Sequence, residues 1–173
     1  MTPSSIRRSI MSDKFAEVRV LAVSIALEEV AKKVTEDTGS NRGTEIDKYL
    51  KRAHCPLDAG HNWCGMFVNW CFTEAAKRCG KVFPISDGIM WSGQKLRTWA
   101  LANWESMVWE MPLLPGDIYV MNKGHIGMVY APTHEGSSTM FTIDGNQSNH
   151  EEGGISLVKR TRDFSEMDVL VRI

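Results

Sequence analysis

The central helix of this sequence begins within Asn62-Trp63-Cys64-Gly65-Met66-Phe67-Val68-Asn69-Trp70. From here the apolar residues continue at helical spacing in two neighbouring rows. The rows are Phe67, Cys71 and Ala75, and Cys64, Val68, Phe72 and Ala76. The pattern predicts a helix over residues 63–78, capped by Asn62, closed by Gly80 and buried over a wide arc. Cys64 then lies in the first turn, where the positive end of the helix dipole favours a thiolate.

Two helices are expected before this one and one after it. Apolar residues recur at intervals of three and four from Val20 to Val34, and Gly39 is expected to end that first helix. Thr44 with Asp47 three positions later resembles a capping box and predicts a short second helix. A fourth helix is expected over residues 92–104.

The second half of the sequence changes to short strand patterns. Strands are expected over residues 118–121, 125–130, 140–144, 155–160 and 167–172. Helices followed by an antiparallel sheet predict an α+β fold, in which the N-terminal helices pack on the C-terminal sheet. Residues 1–12 are predicted to be a disordered end, and residues 13–173 a single domain.

The strands that contain His125 and Asp144 are expected to form a hairpin. Pairing Val129 with Met140 places His125 directly beside Asp144, on one face of the sheet. Gly127, which has no side chain, is expected to leave room on that face for the start of the Cys64 helix. The imidazole and the carboxylate become cross-strand neighbours.

Cys64, His125 and Asp144 together suit a thiol hydrolase. A thiolate attacks a carbonyl carbon, an imidazole handles the proton, and a carboxylate or amide fixes the ring. Asn146 is expected to support the ring or to replace Asp144 in that role. The plainer alternatives are a structural cysteine and histidine within the core, and a tight turn at Asp-Gly-Asn.

Two residues shortly before the cysteine in the sequence are candidates for substrate contact. Trp63 is expected at the rim of a cleft, and His61, three residues before Cys64, is the reserve candidate. Tryptophan more commonly fills a protein core, and histidines in polar turns are commonly solvated.

Composition excludes several classes of function. The 173 residues include 20 Lys+Arg and 21 Asp+Glu, so the net charge of −1 gives no global attraction to nucleic acid. Residues 18–34 are too polar to insert into a membrane, and they lack a cleavage site for a signal peptide. The chain is therefore expected to be made in the cytoplasm without a cleaved signal. The spacing of the four cysteines predicts no metal site, and no cofactor is expected.

Several segments together resemble the CHAP domains, the cysteine, histidine-dependent amidohydrolases/peptidases of bacterial and phage cell-wall hydrolases. Residues 62–71 are similar to the family's Trp-Cys helix start, and residues 114–118 and 124–129 to its Pro-Gly-Asp and histidine strands. Residues 143–146 resemble the acidic-x-Asn element that completes its site, and residues 39–43 an upstream stretch of many members. Residue 62 is asparagine where a proline is frequent in the family.

This resemblance implies a papain-like fold and cleavage of an amide in peptidoglycan. The scissile bond would join N-acetylmuramic acid to L-alanine, or lie within the peptide stem or cross-bridge. A phage lysin or an injected antibacterial effector would act in the periplasm or cell wall after lysis or delivery, and an effector would have delivery machinery and a cognate immunity protein as partners. Some relatives bind calcium before the cysteine, but only Asp58 is available here, so no metal is expected. A papain-like protease or acyltransferase acting on protein, or a non-catalytic wall-binding module, stays an alternative.

Overall fold

A computed structural model describes residues 14–37, 40–58, 60–109, 111–148 and 155–173. Within these ranges the helices are α1 (Ala16–Ala31), α2 (Thr44–Arg52), α3 (Cys64–Arg78), α4 (Asp87–Met90) and α5 (Gly93–Ala102). The strands are β1 (Ile118–Met121), β2 (Ile126–Val129), β3 (Thr139–Ser148), β4 (Ile155–Asp163) and β5 (Met167–Val171). The predicted α+β class is confirmed. The expected disordered end at residues 1–12 lies outside the described residues, as does Gly39.

The five strands form one antiparallel sheet in the order β4-β3-β2-β1-β5. Because β2 occupies the middle of this order, both of its edges are hydrogen-bonded to neighbouring strands. The residue just before β2 is His125. The backbone of His125 is therefore held at the start of a strand that is paired on both sides.

Helix α3 is the central helix, as predicted, and it contacts α1, α2 and α4 as well as β2 and β3. Most of its residues are buried, including Phe67, Val68, Cys71 and Phe72. The start of α3 is tightly packed at Gly65, where a Cβ atom would lie 2.0 Å from the backbone oxygen of Met90 and 2.8 Å from Cδ1 of Ile126. The absence of a side chain lets the first turn of α3 pack against both the end of α4 and β2.

Two predicted caps are wrong. Trp63, not Asn62, precedes α3, and no side-chain hydrogen bond caps that helix. Thr44 and Asp47 do not form a capping box, because Gly43 precedes α2 and no side-chain hydrogen bond caps that helix; the Asp47 carboxylate binds the guanidinium of Arg42 at 2.6 and 2.8 Å. The short helix α4 was not predicted.

Alternation along β1 separates two apolar clusters. Ile118 and Val120 belong to the main core, which the helices share. Tyr119 belongs to a smaller buried cluster on the other side of the strand, together with Leu113, Val129 and Met140. The sheet is therefore covered on both faces.

Candidate active site

The hairpin of β2 and β3 pairs two residues away from the predicted register. Val129 lies opposite Thr142 and Met128 opposite Ile143, so the expected pairing of Val129 with Met140 is wrong. A slip of two residues keeps every side chain on its predicted face, because side chains alternate with a period of two. His125 and Asp144 therefore share a face as diagonal neighbours, and Nε2 of His125 lies 2.8 Å from Oδ1 of Asp144.

Gly127 makes room for Tyr119 rather than for the cysteine helix. Tyr119 lies opposite Gly127 in the β1–β2 ladder, and a Cβ atom on Gly127 would lie 2.5 Å from Cζ of the Tyr119 ring. The tyrosine crosses over the glycine, and its hydroxyl donates a hydrogen bond to the Asp144 carboxylate. The predicted role of Gly127 is wrong, since Gly65 provides the close approach of α3.

Asp144 is 0% exposed and has a hydrogen-bond donor on each side of its carboxylate. Oδ1 accepts from Tyr119, from His125 and from Nη2 of Arg162 at 3.0 Å, and Oδ2 accepts from Oγ1 of Thr142 at 2.6 Å. Burial by itself would raise the pKa of Asp144, but the hydrogen bond from His125 and the charges of His125 and Arg162 hold that pKa below its usual range. The carboxylate therefore stays ionised beside the ring.

Cys64 interacts with the His125 ring, and each side chain shifts the pKa of the other. Because Asp144 bonds Nε2, Nδ1 is the ring nitrogen that remains available to the sulfur. Burial would raise the pKa of the Cys64 thiol, but the bond with His125, its positive charge and the backbone amides of Ile126 and Gly65 lower it below its usual value. Cys71, deep in the same helix, has its pKa raised well above that value, mainly by burial.

The pKa of the imidazole is shifted in the opposite direction to that of the thiol. Burial would lower the pKa of His125, but hydrogen bonds with Asp144 and Cys64, and their negative charges, raise the pKa to about 9. Opposite shifts on Cys64 and His125 favour a thiolate–imidazolium pair at neutral pH. Such a pair is the attacking form of a cysteine hydrolase.

The pair lines a polar cleft of about 470 Å³. Its walls come from the start of α5, from residues 123–126 and from the end of β3, and Asn62, Trp91, Gln94 and Lys123 are among the residues that line it. No carboxylate belongs to this lining, since the buried side chain of Asp144 lies behind His125. A polar substrate can reach both Cys64 and His125 here.

The expected position of Trp63 at the cleft rim is wrong. The indole is 0% exposed, and its Nε1 donates to Oε1 of Glu36 at 3.1 Å. Its ring packs against Gly145, where a Cβ atom would lie 2.7 Å from Cζ3. Trp63 therefore supports the backbone beside Asp144 and has no surface available to a substrate. His61 is half-buried and does not belong to the cleft lining, which instead includes its neighbour Asn62.

Asn146 does not hold the imidazole. Its Nδ2 donates to Oδ1 of Asn62 at 3.1 Å, across the cleft entrance from β3 to the residues before α3. Asp144 is the residue that bonds Nε2 of His125, which decides between the two candidates in its favour. Asn146 lines the cleft beside the reactive pair instead.

Four side chains around the site were not predicted from the sequence: Tyr119, Thr142, Arg162 and Gln147. Gln147 donates from Nε2 toward Nδ1 of His125 at 3.3 Å, while its Oε1 accepts from Nη2 of Arg162 at 3.0 Å. In a regular strand Gln147 and Asp144 would point to opposite faces. A register shift between these two residues, with Asn146 at a φ of 57°, places Gln147 on the Asp144 side.

The described residues contain no group of three or more His, Cys, Asp or Glu side chains that could hold a metal ion. Cys55, Cys64, Cys71 and Cys79 are all free thiols. None of the helices in the described part of the chain combines the length and apolar character that a membrane crossing requires. Comparisons with protein-family models, curated proteins and solved structures find no match to this chain.

Proposed function

We propose that this chain is a papain-like peptidoglycan hydrolase of the CHAP type, which cleaves an amide bond through a Cys64 thiolate. The supporting observation is that Cys64 and His125 line one polar cleft and shift each other's pKa in opposite directions, while the buried Asp144 bonds Nε2 of His125 at 2.8 Å. The sequence segments that resemble CHAP domains contribute these same three residues.

The reaction follows from the positions of these groups. The Cys64 sulfur attacks the amide carbon, and the electron pair of the carbonyl moves to oxygen, where backbone N–H groups in the first turn of α3 stabilise it. The imidazolium donates its Nδ1 proton to the leaving amine, and a thioester remains on Cys64. Nδ1 then takes a proton from water, which attacks the thioester and releases a carboxylic acid.

Asp144 acts on the ring throughout this cycle. Its carboxylate bonds Nε2, so the Nδ1 atom stays directed at the sulfur when the ring gains or loses a proton. Tyr119, Thr142 and Arg162 hold the carboxylate itself in place. The groups that orient the imidazole through Asp144 therefore come from three strands and lie behind the ring, away from the cleft.

The cleft suits a peptide stem better than an acyl chain. Asn62, Gln94, Asn146 and Gln147 line it, and these amides can pair with the amide groups of a peptide. Lys123 offers a positive charge to a substrate carboxylate. Lysis, or injection with a cognate immunity protein as partner, is the proposed route to the wall.

Digestion of purified cell walls tests this function. Turbidity and mass spectrometry of the released muropeptides would identify the new amine and carboxyl termini. Cys64→Ala and His125→Ala should abolish cleavage while circular dichroism stays native, and Cys79→Ala, at a half-buried thiol outside the site, should retain it. Full cleavage by Cys64→Ala would remove the thiol mechanism. Intact walls alongside cleavage or acylation of a protein would support the alternative enzyme, and wall binding without chemistry would support a non-catalytic module.

A further inference from the structure

Gln147 makes three hydrogen bonds that fix both ends of its side-chain amide. Oε1 accepts from Arg162 at 3.0 Å, and Nε2 donates to the backbone oxygen of Asn146 at 2.9 Å. The second hydrogen on Nε2 points toward Nδ1 of His125 at 3.3 Å. Since a guanidinium can only donate, Arg162 determines that the amide nitrogen, and not its oxygen, faces the imidazole.

This arrangement favours one protonation state of Nδ1. A donor on Gln147 needs a lone pair on Nδ1, so the contact fits the neutral ring, with its proton on Nε2 beside Asp144. When Nδ1 takes the proton from Cys64, two N–H groups face each other and the Gln147 bond is lost. Gln147 therefore opposes the ion pair that Asp144 favours.

The other charged or titratable groups around the ring act in known directions. Cys64 on α3 and Asp144 on β3 favour the protonated ring. Arg162 on β4 is bound to Asp144 and opposes an added positive charge, Tyr119 on β1 is a neutral donor to Asp144, and Lys123 lies in the turn just before the histidine. Gln147 differs from all of these because it contacts the nitrogen that exchanges its proton with sulfur.

We propose that Gln147 is a positioning residue that opposes protonation of His125 at Nδ1, against the effect of Asp144, until the carbonyl oxygen of a substrate accepts the Gln147 N–H instead. The proposal rests on the thiol mechanism given above. Substrate binding releases Nδ1, the proton moves from Sγ of Cys64 to Nδ1, and the thiolate attacks. Gln147 exchanges no proton in this step, since only the acceptor of its hydrogen bond changes from a ring nitrogen to the substrate oxygen.

The position of Gln147 makes this exchange possible. The side chain lines the same cleft as Cys64, and its amide nitrogen lies 3.3 Å from Nδ1, the ring nitrogen that Asp144 leaves available to the sulfur. The amide nitrogen is therefore close to the carbon that the sulfur attacks, where a side-chain donor can stabilise the developing oxyanion. Gln147 would thereby link substrate binding to thiolate formation.

The pH dependence of iodoacetamide alkylation at Cys64, resolved by peptide mass spectrometry, tests the proposal in the full chain. Gln147→Met keeps the length of the side chain but removes the donor. Its alkylation midpoint should move to lower pH, so that alkylation below the midpoint is about three- to tenfold faster than in the wild type. Its kcat/KM on muropeptides should nevertheless fall by about tenfold or more, because the oxyanion loses a donor.

Opposite changes in reactivity and turnover distinguish this role from a structural one, which would lower both. Gln94→Met is the matched control for the alkylation midpoint, because Gln94 also lines the cleft but does not contact Nδ1 of His125; its midpoint should stay at the wild-type pH. Gln147→Ala provides a second donor-free variant should the methionine disturb the fold. An unchanged midpoint, or one moved to higher pH, in the folded variants would overturn the proposal. Failure of wild-type wall hydrolysis would instead remove the proposed function and leave the alkylation result standing.

Discussion

The ring of Tyr119 occupies the space that a side chain on Gly127 would fill. The two residues are partners in the β1–β2 ladder, and Tyr119 reaches across its partner strand to bond Asp144 on the next strand. Three neighbouring strands thus contribute to the Tyr119–Asp144 hydrogen bond. The bond requires a glycine at position 127 on the middle strand, because any side chain there would displace the tyrosine ring. The orientation of the imidazole depends on this crossing, because the same carboxylate bonds His125.

Replacement of Gly127 by alanine should therefore disturb both stability and activity. The added Cβ would lie 2.5 Å from Cζ of Tyr119, so the buried ring must move and its hydroxyl must leave Asp144. We expect a loss of about 2 kcal/mol in the free energy of unfolding in urea, together with slower wall hydrolysis. Gly88→Ala is the control, since a Cβ there meets nothing within 4 Å. Equal stability and activity in both variants would contradict the role assigned to this glycine.

Arg162→Met should destabilise the folded protein by removing a second partner of Asp144, on the strand that flanks β3 on the side away from β2. The guanidinium is the cation that compensates Asp144 from β4, and it also fixes Gln147. Its loss leaves a buried carboxylate with one donor fewer, which should cost about 2 kcal/mol or more in the free energy of unfolding. Urea denaturation at neutral pH measures this, with Lys159→Met, at an exposed position of the same strand, as the control. A loss no larger than that of the control would show that Arg162 does not stabilise Asp144.

The proposed wall hydrolysis should follow a bell-shaped pH profile whose alkaline limb lies at high pH. Because the pKa of Cys64 is lowered, the thiolate forms below the usual pH of thiol ionisation. Because the pKa of His125 is raised to about 9, the imidazolium that protonates the leaving amine persists up to about that pH and is lost above it. The rate constant kcat/KM, measured from about pH 5 to 10, should rise with the first ionisation and fall with the second.

Asp144→Asn should move the alkaline limb to lower pH, because the hydrogen bond with Asp144 is the first of the interactions that raise the pKa of His125. Asp117→Asn is a matched control, since Asp117 is equally buried but its carboxylate binds Arg172 at 2.6 Å. The same pH series of kcat/KM measures both variants. A limb that stays near pH 9 in Asp144→Asn would mean that another group raises the pKa of His125.

Glu36→Leu should destabilise the protein through Trp63. The substitution removes the acceptor of a buried indole N–H, 27 positions away in the chain, and also the acceptor of the Asn41 backbone amide. Each donor left without a partner costs about 1–3 kcal/mol, so the free energy of unfolding should fall by that amount or more. Glu36→Gln retains an acceptor oxygen and should lose much less. Should KM rise while stability stays unchanged in Glu36→Leu, Trp63 would be a substrate contact after all.

The helix that begins at Cys64 and the shared face of His125 and Asp144 could be predicted from the sequence, because both follow from periodicity. The apolar rows of α3 require a buried helix, and a period of two keeps His125 and Asp144 on one face even when the register slips by two. The register itself could not be predicted. Every slip by an even number of residues leaves the side chains on the same faces, so the pattern fits several registers of β2 and β3 equally well. The contact of Tyr119 with Asp144 over Gly127 distinguishes these registers, but it can be recognised only once β1 is known to pair with β2.

The remaining parts of the site depend on contacts between distant residues. Arg162 reaches Asp144 from 18 positions away through the β3–β4 pairing. Gln147 joins the site only because the strand is irregular after Asp144, and an extended pattern predicts the opposite face for it. Trp63 was assigned to the cleft because it adjoins Cys64 in sequence, but the acceptor that draws its indole inward is Glu36 on another segment.

The thiol lies in the first turn of a helix whose residues are mostly buried, and its imidazole immediately before the strand in the middle of the sheet. Because both segments are packed into the core, we expect them to unfold together with the remainder of the molecule. Loss of the proposed activity on heating and melting of the core should therefore be one event. A protein built in this way would keep its full catalytic competence up to its melting temperature and lose it abruptly there.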